Sequence, residues 1–140
     1  MADVHSKQIR SYNMSRIRST DTKPEMLVRR FLHAQGFRYR LHVKDLPGKP
    51  DIVLPKYRTV IFVNGCFWHG HKDCRYAVVP KTRTEWWLDK LRRNVQRDQQ
   101  VVLELRSMRW KVIIVWECEL KPLAIEQLFA NLLGIIQEQG

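Results

Sequence analysis

The sequence predicts an α/β domain with a central mixed β-sheet flanked by α-helices. Two continuous apolar runs, residues 59–63 and 111–116, are rich in β-branched and aromatic residues, as strands buried on both faces are. Three further stretches carry apolar stripes at helical spacing. The elements follow one another as α-β-β-β-α-β-α, an order that packs as a sheet with helices on both faces. At 140 residues the chain has room for one such domain with one core, and 44% hydrophobic residues support it without disulfides.

The first twenty residues are polar and basic, with Lys7, Arg10, Arg16 and Arg18 against Asp3 alone. Too little apolar surface is present there to fold alone, so residues 1–20 read either as a frayed terminus or as an arm that orders on DNA. Met14 and Ile17, three apart, give that arm one short apolar side. Residues 21–140 are expected to form the single folded domain.

That domain opens with a helix signal. Thr22 and Glu25 form a capping box, Pro24 suits the first turn, and Gly36 is a stop. Met26, Leu27, Phe31 and Leu32 supply the apolar stripe between them. Residues 37–43 alternate as a strand, Leu46-Pro-Gly-Lys-Pro50 is turn chemistry, and residues 51–54 read as a short strand. A turn at residues 55–58 leads into the apolar run 59–63. Residues 64–80 have no usable period and read as an ordered loop dense in Cys, His and Trp. A second capping box, Thr82 with Glu85, opens a long helix reaching about Met108. Leu88, Leu91, Val95, Val102 and Leu105 fall on one side of it, while Arg92, Arg93, Gln96, Arg97 and Gln100 lie largely elsewhere. After the strand 111–116 and Pro122, Leu123, Leu128, Phe129, Leu132 and Ile136 mark an amphipathic C-terminal helix.

Charge narrows the function classes. Against 14 Asp+Glu stand 25 Lys+Arg, a formal net charge of +11, so the domain is drawn to polyanions, nucleic acid first among them. A membrane surface is disfavoured because the basic residues are not gathered on one amphipathic helix. No apolar run is long enough for a transmembrane helix, and no apolar stretch follows the first residues as in a signal peptide. Three cysteines make a poor disulfide framework. The expectation is a cytosolic protein.

Those cysteines suit a metal instead. Cys66, His69, His71 and Cys74 fall within nine positions, and Cys118 stands at the end of the last strand. Zn²⁺ takes four thiolate and imidazole ligands tetrahedrally, and Cys66–His71–Cys74–Cys118 would use every cysteine in a closed, structural site. By spacing alone, His69 can replace His71 in that set.

Pro50-Asp51 opens a short strand beside the apolar run. A carboxylate there can hold a hard cation such as Mg²⁺ with positions open for a phosphate. The layout resembles the PD-(D/E)XK nucleases, except that residues 59–65 contain no acidic-x-Lys. A general base must come from elsewhere, and the imidazole of His69 is the side chain suited to it near neutral pH. Glu25 can add a second carboxylate. Around this region Phe67, Trp68, Trp86 and Trp87 read either as packing about the metal loop or as wedges that unstack bases. Arg75, Lys81, Arg83, Arg92, Arg93 and Arg97 would line a phosphate groove beside them.

Asn13-Met14, Pro-Gly-Lys-Pro-Asp51, Val-Ile-Phe-Val-Asn-Gly-Cys-Phe-Trp-His69 and Thr82-Arg-Thr-Glu-Trp-Trp87, with residues 112–118, resemble the very short patch repair (Vsr) endonucleases. Those are T:G mismatch nicking enzymes with a restriction-endonuclease-like, three-layer fold, and the resemblance spans roughly residues 4–121. It implies Mg²⁺ on Asp51 and the Val63 carbonyl, His69 as the base that activates water, and Glu25 assisting through water. Cys66, His71, Cys74 and Cys118 would be the structural Zn²⁺ ligands, and Phe67, Trp68 and Trp87 the aromatic wedge. Met14 and Ile17 would belong to an arm reaching the minor groove.

Two departures from the family pattern stand out. Asn64 occupies the place of a second active-site histidine, and one extra residue lies between His71 and Cys74. The function implied is context-dependent nicking of one strand 5′ to the T of a T:G mismatch left by deamination of 5-methylcytosine. The partners implied are the mismatched duplex, mismatch-repair accessory proteins and a repair polymerase, with the enzyme acting as a monomer. Two other readings are a relative that cuts matched DNA and a zinc-stabilised DNA-binding module without catalysis.

Overall fold

In a computed structural model the described residues are 21–138. The elements appear in the expected order: α1 (Lys23–Ala34), β1 (Arg40–Leu41), β2 (Ile52–Leu54), β3 (Thr59–Asn64), α2 (Thr84–Ser107), β4 (Lys111–Trp116) and α3 (Ile125–Gln137). The arm at residues 1–20, with Met14 and Ile17, lies outside the described residues.

The four strands form one mixed sheet in the order β1-β2-β3-β4. β1, β2 and β3 are antiparallel neighbours, and β3 pairs in parallel with β4 through the α2 crossover. Side chains alternate between two apolar layers. Ile52, Leu54, Ile61, Ile113 and Val115 pack with Val28 and Leu32 of α1 and with Leu128, Leu132 and Ile136 of α3. Val53, Val60, Phe62 and Val112 face the other way, toward Val101 and Leu105 of α2. The result is three layers, with α1 and α3 on one face and α2 on the other. Each fully buried aliphatic side chain contributes about 1.5–3 kcal/mol, so these layers hold the sheet that carries the site.

Several local expectations are corrected. The strand drawn over residues 37–43 shrinks to Arg40–Leu41, because Phe37 turns into the core and His42 adopts a left-handed backbone (φ 48°) that ends the strand. The Thr82 capping box does not form. α2 starts at Thr84 behind a left-handed Arg83, and the Thr84 hydroxyl donates back to the carbonyls of Pro80 and Lys81. Leu88 and Leu123, assigned to apolar faces, are exposed. At Thr22 the cap does form: its hydroxyl accepts from the Glu25 N–H at 3.4 Å.

A candidate nuclease site at the open end of the sheet

Asp51 immediately precedes β2, and its Oδ2 accepts a hydrogen bond from the Val63 N–H of β3 at 2.8 Å. The register also leaves the Val63 carbonyl short of a strand donor. Ile52 pairs with Ile61, so two residues further on Pro50 stands opposite Val63. Proline has no N–H to give the Val63 carbonyl, and the ladder ends in side-chain and carbonyl oxygens. The Pro-Gly-Lys-Pro turn is pressed against α2, where a Cβ on Gly48 (φ 73°) would sit 2.4 Å from Val101 Cγ1.

Asp51 opens onto a pocket of about 330 Å³ between the end of the sheet and α2, shared with His42, Lys49, Asn64, His69, Arg97 and Asp98. Burial pushes the Asp51 carboxyl up to about 6, opposed by the Val63 N–H, and the nearby Glu25 carboxylate raises it further while His42 lowers it. A desolvated carboxylate of this kind is relieved by a cation.

On the far wall His69 Nδ1 lies 2.6 Å from Asp98 Oδ2. A carboxylate only accepts, so Nδ1 carries the hydrogen and Nε2 is left free to take a proton. Asp98 was not anticipated from sequence. Its signal is the apolar stripe of α2, where Leu91, Val95, Asp98, Val102 and Leu105 recur at spacings of three and four with one carboxylate among them. Gly70 (φ 59°) holds the His69 loop against that helix, since a Cβ there would meet Val95 Cγ2 at 2.9 Å.

Glu25 is buried at 2% exposure in the first turn of α1. It pairs with Arg29, which also pairs with Asp21, and both of its oxygens lie 3.0–3.1 Å from His42 Nε2. Asn64, the last residue of β3, is buried beside the same pocket. The structure therefore brings together Asp51, His69, Asn64 and Arg97, adds Asp98 and His42, and sets Glu25 against His42 at the rim.

The second cluster lies on the loop after β3. Ligand atoms of Cys66, His71, Cys74 and Cys118 all lie within 4.8 Å of one another and can hold a metal ion. The Cys118 N–H donates to Cys66 Sγ at 3.4 Å, and the His71 ring stacks on Trp116 at 4.0 Å. His69 is not in this group, because Asp98 engages it. Burial pushes the Cys66 thiol up and the Cys118 thiol up to about 12, with the neighbouring thiols adding to the latter. Against its own desolvation, the Tyr76 N–H and the other thiols hold Cys74 below the ordinary value.

Beside this loop, Phe67 meets Trp68 and Trp87 edge-to-face and those two rings are tilted against each other, with centroids 5.1–5.9 Å apart, and Trp86 meets Trp87 at 4.8 Å. Trp68 and Trp86 keep 39% and 46% exposure, so the cluster presents aromatic surface to solvent. Arg83 and Lys90 lie over the Trp86 ring. Arg92 and Arg93 are exposed on α2, with Arg93 paired to Asp89 at 2.5 Å, whereas Arg97 lines the Asp51 pocket.

Comparison with known proteins gives the family. The family model for the DNA mismatch endonuclease Vsr matches residues 2–76. The chain belongs to the Vsr family of DNA mismatch endonucleases. A Neisseria meningitidis type II nicking enzyme is 52% identical over 89% of this chain and 89% of its own length. A Xanthomonas oryzae type II nicking enzyme is 48% identical over 95% of this chain and 98% of its own. The Escherichia coli DNA mismatch endonuclease Vsr is 48% identical over 86% of this chain and 77% of its own. As a Vsr-family endonuclease the chain acts on DNA, and no helix among the described residues is long and apolar enough to cross a membrane.

Proposed function

We propose that this Vsr-family chain nicks one strand of duplex DNA 5′ to the thymine of a T:G mismatch produced by deamination of 5-methylcytosine, and so starts very short patch repair. The observation that carries the reading is the single pocket holding the cation-seeking Asp51 carboxylate opposite the His69–Asp98 pair.

Asp51 and the Val63 carbonyl would hold Mg²⁺. Both fit, because the carboxylate is desolvated and Pro50 offers that carbonyl no N–H. Bound there, Mg²⁺ would supply polarisation of the scissile phosphate and charge neutralisation at the leaving oxygen. His69 Nε2 takes a proton from the attacking water, and Asp98 fixes the tautomer and steadies the imidazolium that results. The water oxygen bonds to phosphorus as the bond to the leaving oxygen breaks. Glu25 orders water at the rim, Asn64 hydrogen-bonds phosphate or water from the sheet end, and Arg92, Arg93 and Arg97 track the backbone.

Cys66, His71, Cys74 and Cys118 would hold a structural Zn²⁺. The donor set fits: a tetrahedral ion bonded at about 2.0–2.3 Å holds its ligands roughly 3.3–3.8 Å apart, and here Cys118 Sγ lies 3.5 Å from His71 Nδ1 with all four ligand atoms within 4.8 Å of one another. Three crowded, partly desolvated thiols also gain from a dication. Pinning the loop to Cys118 would fix the Phe67–Trp68–Trp87 wedge, whose insertion costs least where pairing is already weak. Residues 1–20 would act as a DNA-contacting arm with Met14 and Ile17 toward the minor groove, and residues 21–140 as the catalytic domain. The enzyme works as a cytoplasmic monomer, with accessory mismatch-repair proteins and a repair polymerase acting on its product.

The test is nicking of end-labelled duplexes carrying T:G, C:G or T:A at one position in several methylase contexts, with Mg²⁺ or EDTA. Cutting confined to the T strand of T:G and abolished by EDTA is the expected result. Equal cutting of matched DNA would overturn the mismatch reading, and EDTA-resistant cutting would overturn the cation.

A further inference from the structure

The motifs singled out in the sequence leave His42 unused, yet the fold builds a place for it. β1 and β2 form an antiparallel hairpin with Leu41 opposite Ile52, so the next pair, beyond the last ladder residues, is His42 and Asp51. The His42 N–H donates to the Asp51 carbonyl at 3.1 Å. That bond holds His42 in the left-handed region at φ 48°, a conformation L side chains rarely take and one that turns its ring off the strand. Its Nε2 meets both oxygens of Glu25, at 3.0 and 3.1 Å, and the ring lines the pocket that contains Asp51 and His69. A carboxylate paired with Arg29 accepts hydrogen bonds, so the tautomer with the hydrogen on Nε2 donates to Glu25.

We propose that His42 is a positioning residue of the nuclease site, a second histidine–carboxylate pair that fixes the Glu25 carboxylate at the pocket rim. The proposal rests on the reading of Glu25 as an active-site carboxylate. Arg29 and the Asp21 N–H hold Glu25 Oε2 from the same stretch of chain, whereas His42 reaches Oε1 as well. His42 comes from the sheet, on the strand end next to Asp51, so it ties the first turn of α1 to the residue that would carry the cation. With Asn64 at the end of β3, the pocket takes its second imidazole from the β1–β2 hairpin.

The test compares single-site variants in steady-state nicking of a T:G duplex, with kcat, KM and thermal unfolding measured for each. His42→Asn is the informative loss, because Asn tolerates a left-handed backbone but is too short to reach Glu25. Gln places its amide nitrogen near the position of Nε2, so His42→Gln is the rescue. The expected result is a fall in kcat of about tenfold or more for His42→Asn with KM within twofold, and at least half of that loss, on a logarithmic scale, restored by His42→Gln. Glu25→Ala should lose activity by itself, and adding His42→Asn to it should cost nothing further.

Wild-type kcat in His42→Asn with Glu25→Ala impaired would overturn the inference alone. An equal loss from His42→Asn in the Glu25→Ala background, or no rescue by Gln in a protein that melts like wild type, would do the same. Wild-type nicking by Glu25→Ala would overturn the role of Glu25 and the inference with it. Should His42→Asn fail to fold, His42→Gln decides: near wild-type kcat is expected, and a tenfold loss in a folded protein overturns the proposal.

Discussion

His69 and Asp98 are separated by 29 residues of chain and meet with Nδ1 and Oδ2 at 2.6 Å. The loop after β3 delivers the imidazole, and the inner stripe of α2 delivers the carboxylate. The pair fixes which ring nitrogen faces the Asp51 pocket, and it does so from two elements that have no motif in common.

Asp98→Asn keeps the size of the side chain but lets its amide donate to Nδ1, which stabilises the wrong tautomer. Nicking should fall by about 10²-fold with binding to a mismatched duplex unchanged. Single-turnover kinetics beside an equilibrium binding titration checks this.

The elevated Asp51 carboxyl gives a pH signature in cation-free protein. Its folded value is about 6 against 3.8 when unperturbed. The folded state therefore binds that proton more tightly, and the stability it contributes is present below about pH 3.8 and lost as pH rises through about 6. Asp51→Asn does not titrate, so it should melt roughly 2–5 °C above wild type at pH 8, with the gap closing as the pH falls through that window. Added Mg²⁺ at pH 8 should stabilise the wild type and leave Asp51→Asn unchanged. Differential scanning calorimetry across pH measures both.

Removing metal from the cysteine cluster should loosen the loop that carries the aromatic residues. One equivalent of zinc is expected per chain, and its removal by a strong chelator, or Cys118→Ala, should lower the melting temperature by about 10 °C or more. Metal analysis with a thermal scan reads this out. Full stability in zinc-free protein would contradict a structural site.

The exposed Trp68 ring should serve discrimination more than affinity. Trp68→Ala is expected to reduce the preference for T:G over T:A by about tenfold, as loss of one stacking contact would. Competition binding with both duplexes checks it.

Much of this fold was legible because the apolar runs of β3 and β4 leave few alternatives and the stripes of α1 and α3 are regular. The three cysteines of the metal-type cluster and the Asp51 position were legible from spacing and turn chemistry, while spacing left His69 and His71 as alternatives for the fourth ligand. Long-range pairing was not. Nothing local links Asp98 to His69 or His42 to Glu25, since the first pair forms only when the loop after β3 meets α2 and the second only when the β1–β2 hairpin meets α1. Thr82 misled because a left-handed Arg83 takes the cap position and α2 starts one residue later, at Thr84. Leu88 kept the period of its helix but falls where no layer covers it.

The central claim is that this Vsr-family chain cuts a T:G mismatch through Asp51. Purified protein and its Asp51→Ala variant would be given the same duplex with each strand separately labelled, in Mg²⁺, with binding measured alongside. Nicking of the T strand alone by the wild type, with Asp51→Ala binding equally and cutting at least 10³-fold more slowly, is the result predicted. Undiminished cutting by Asp51→Ala, or binding by the wild type without cutting in any context, would contradict it.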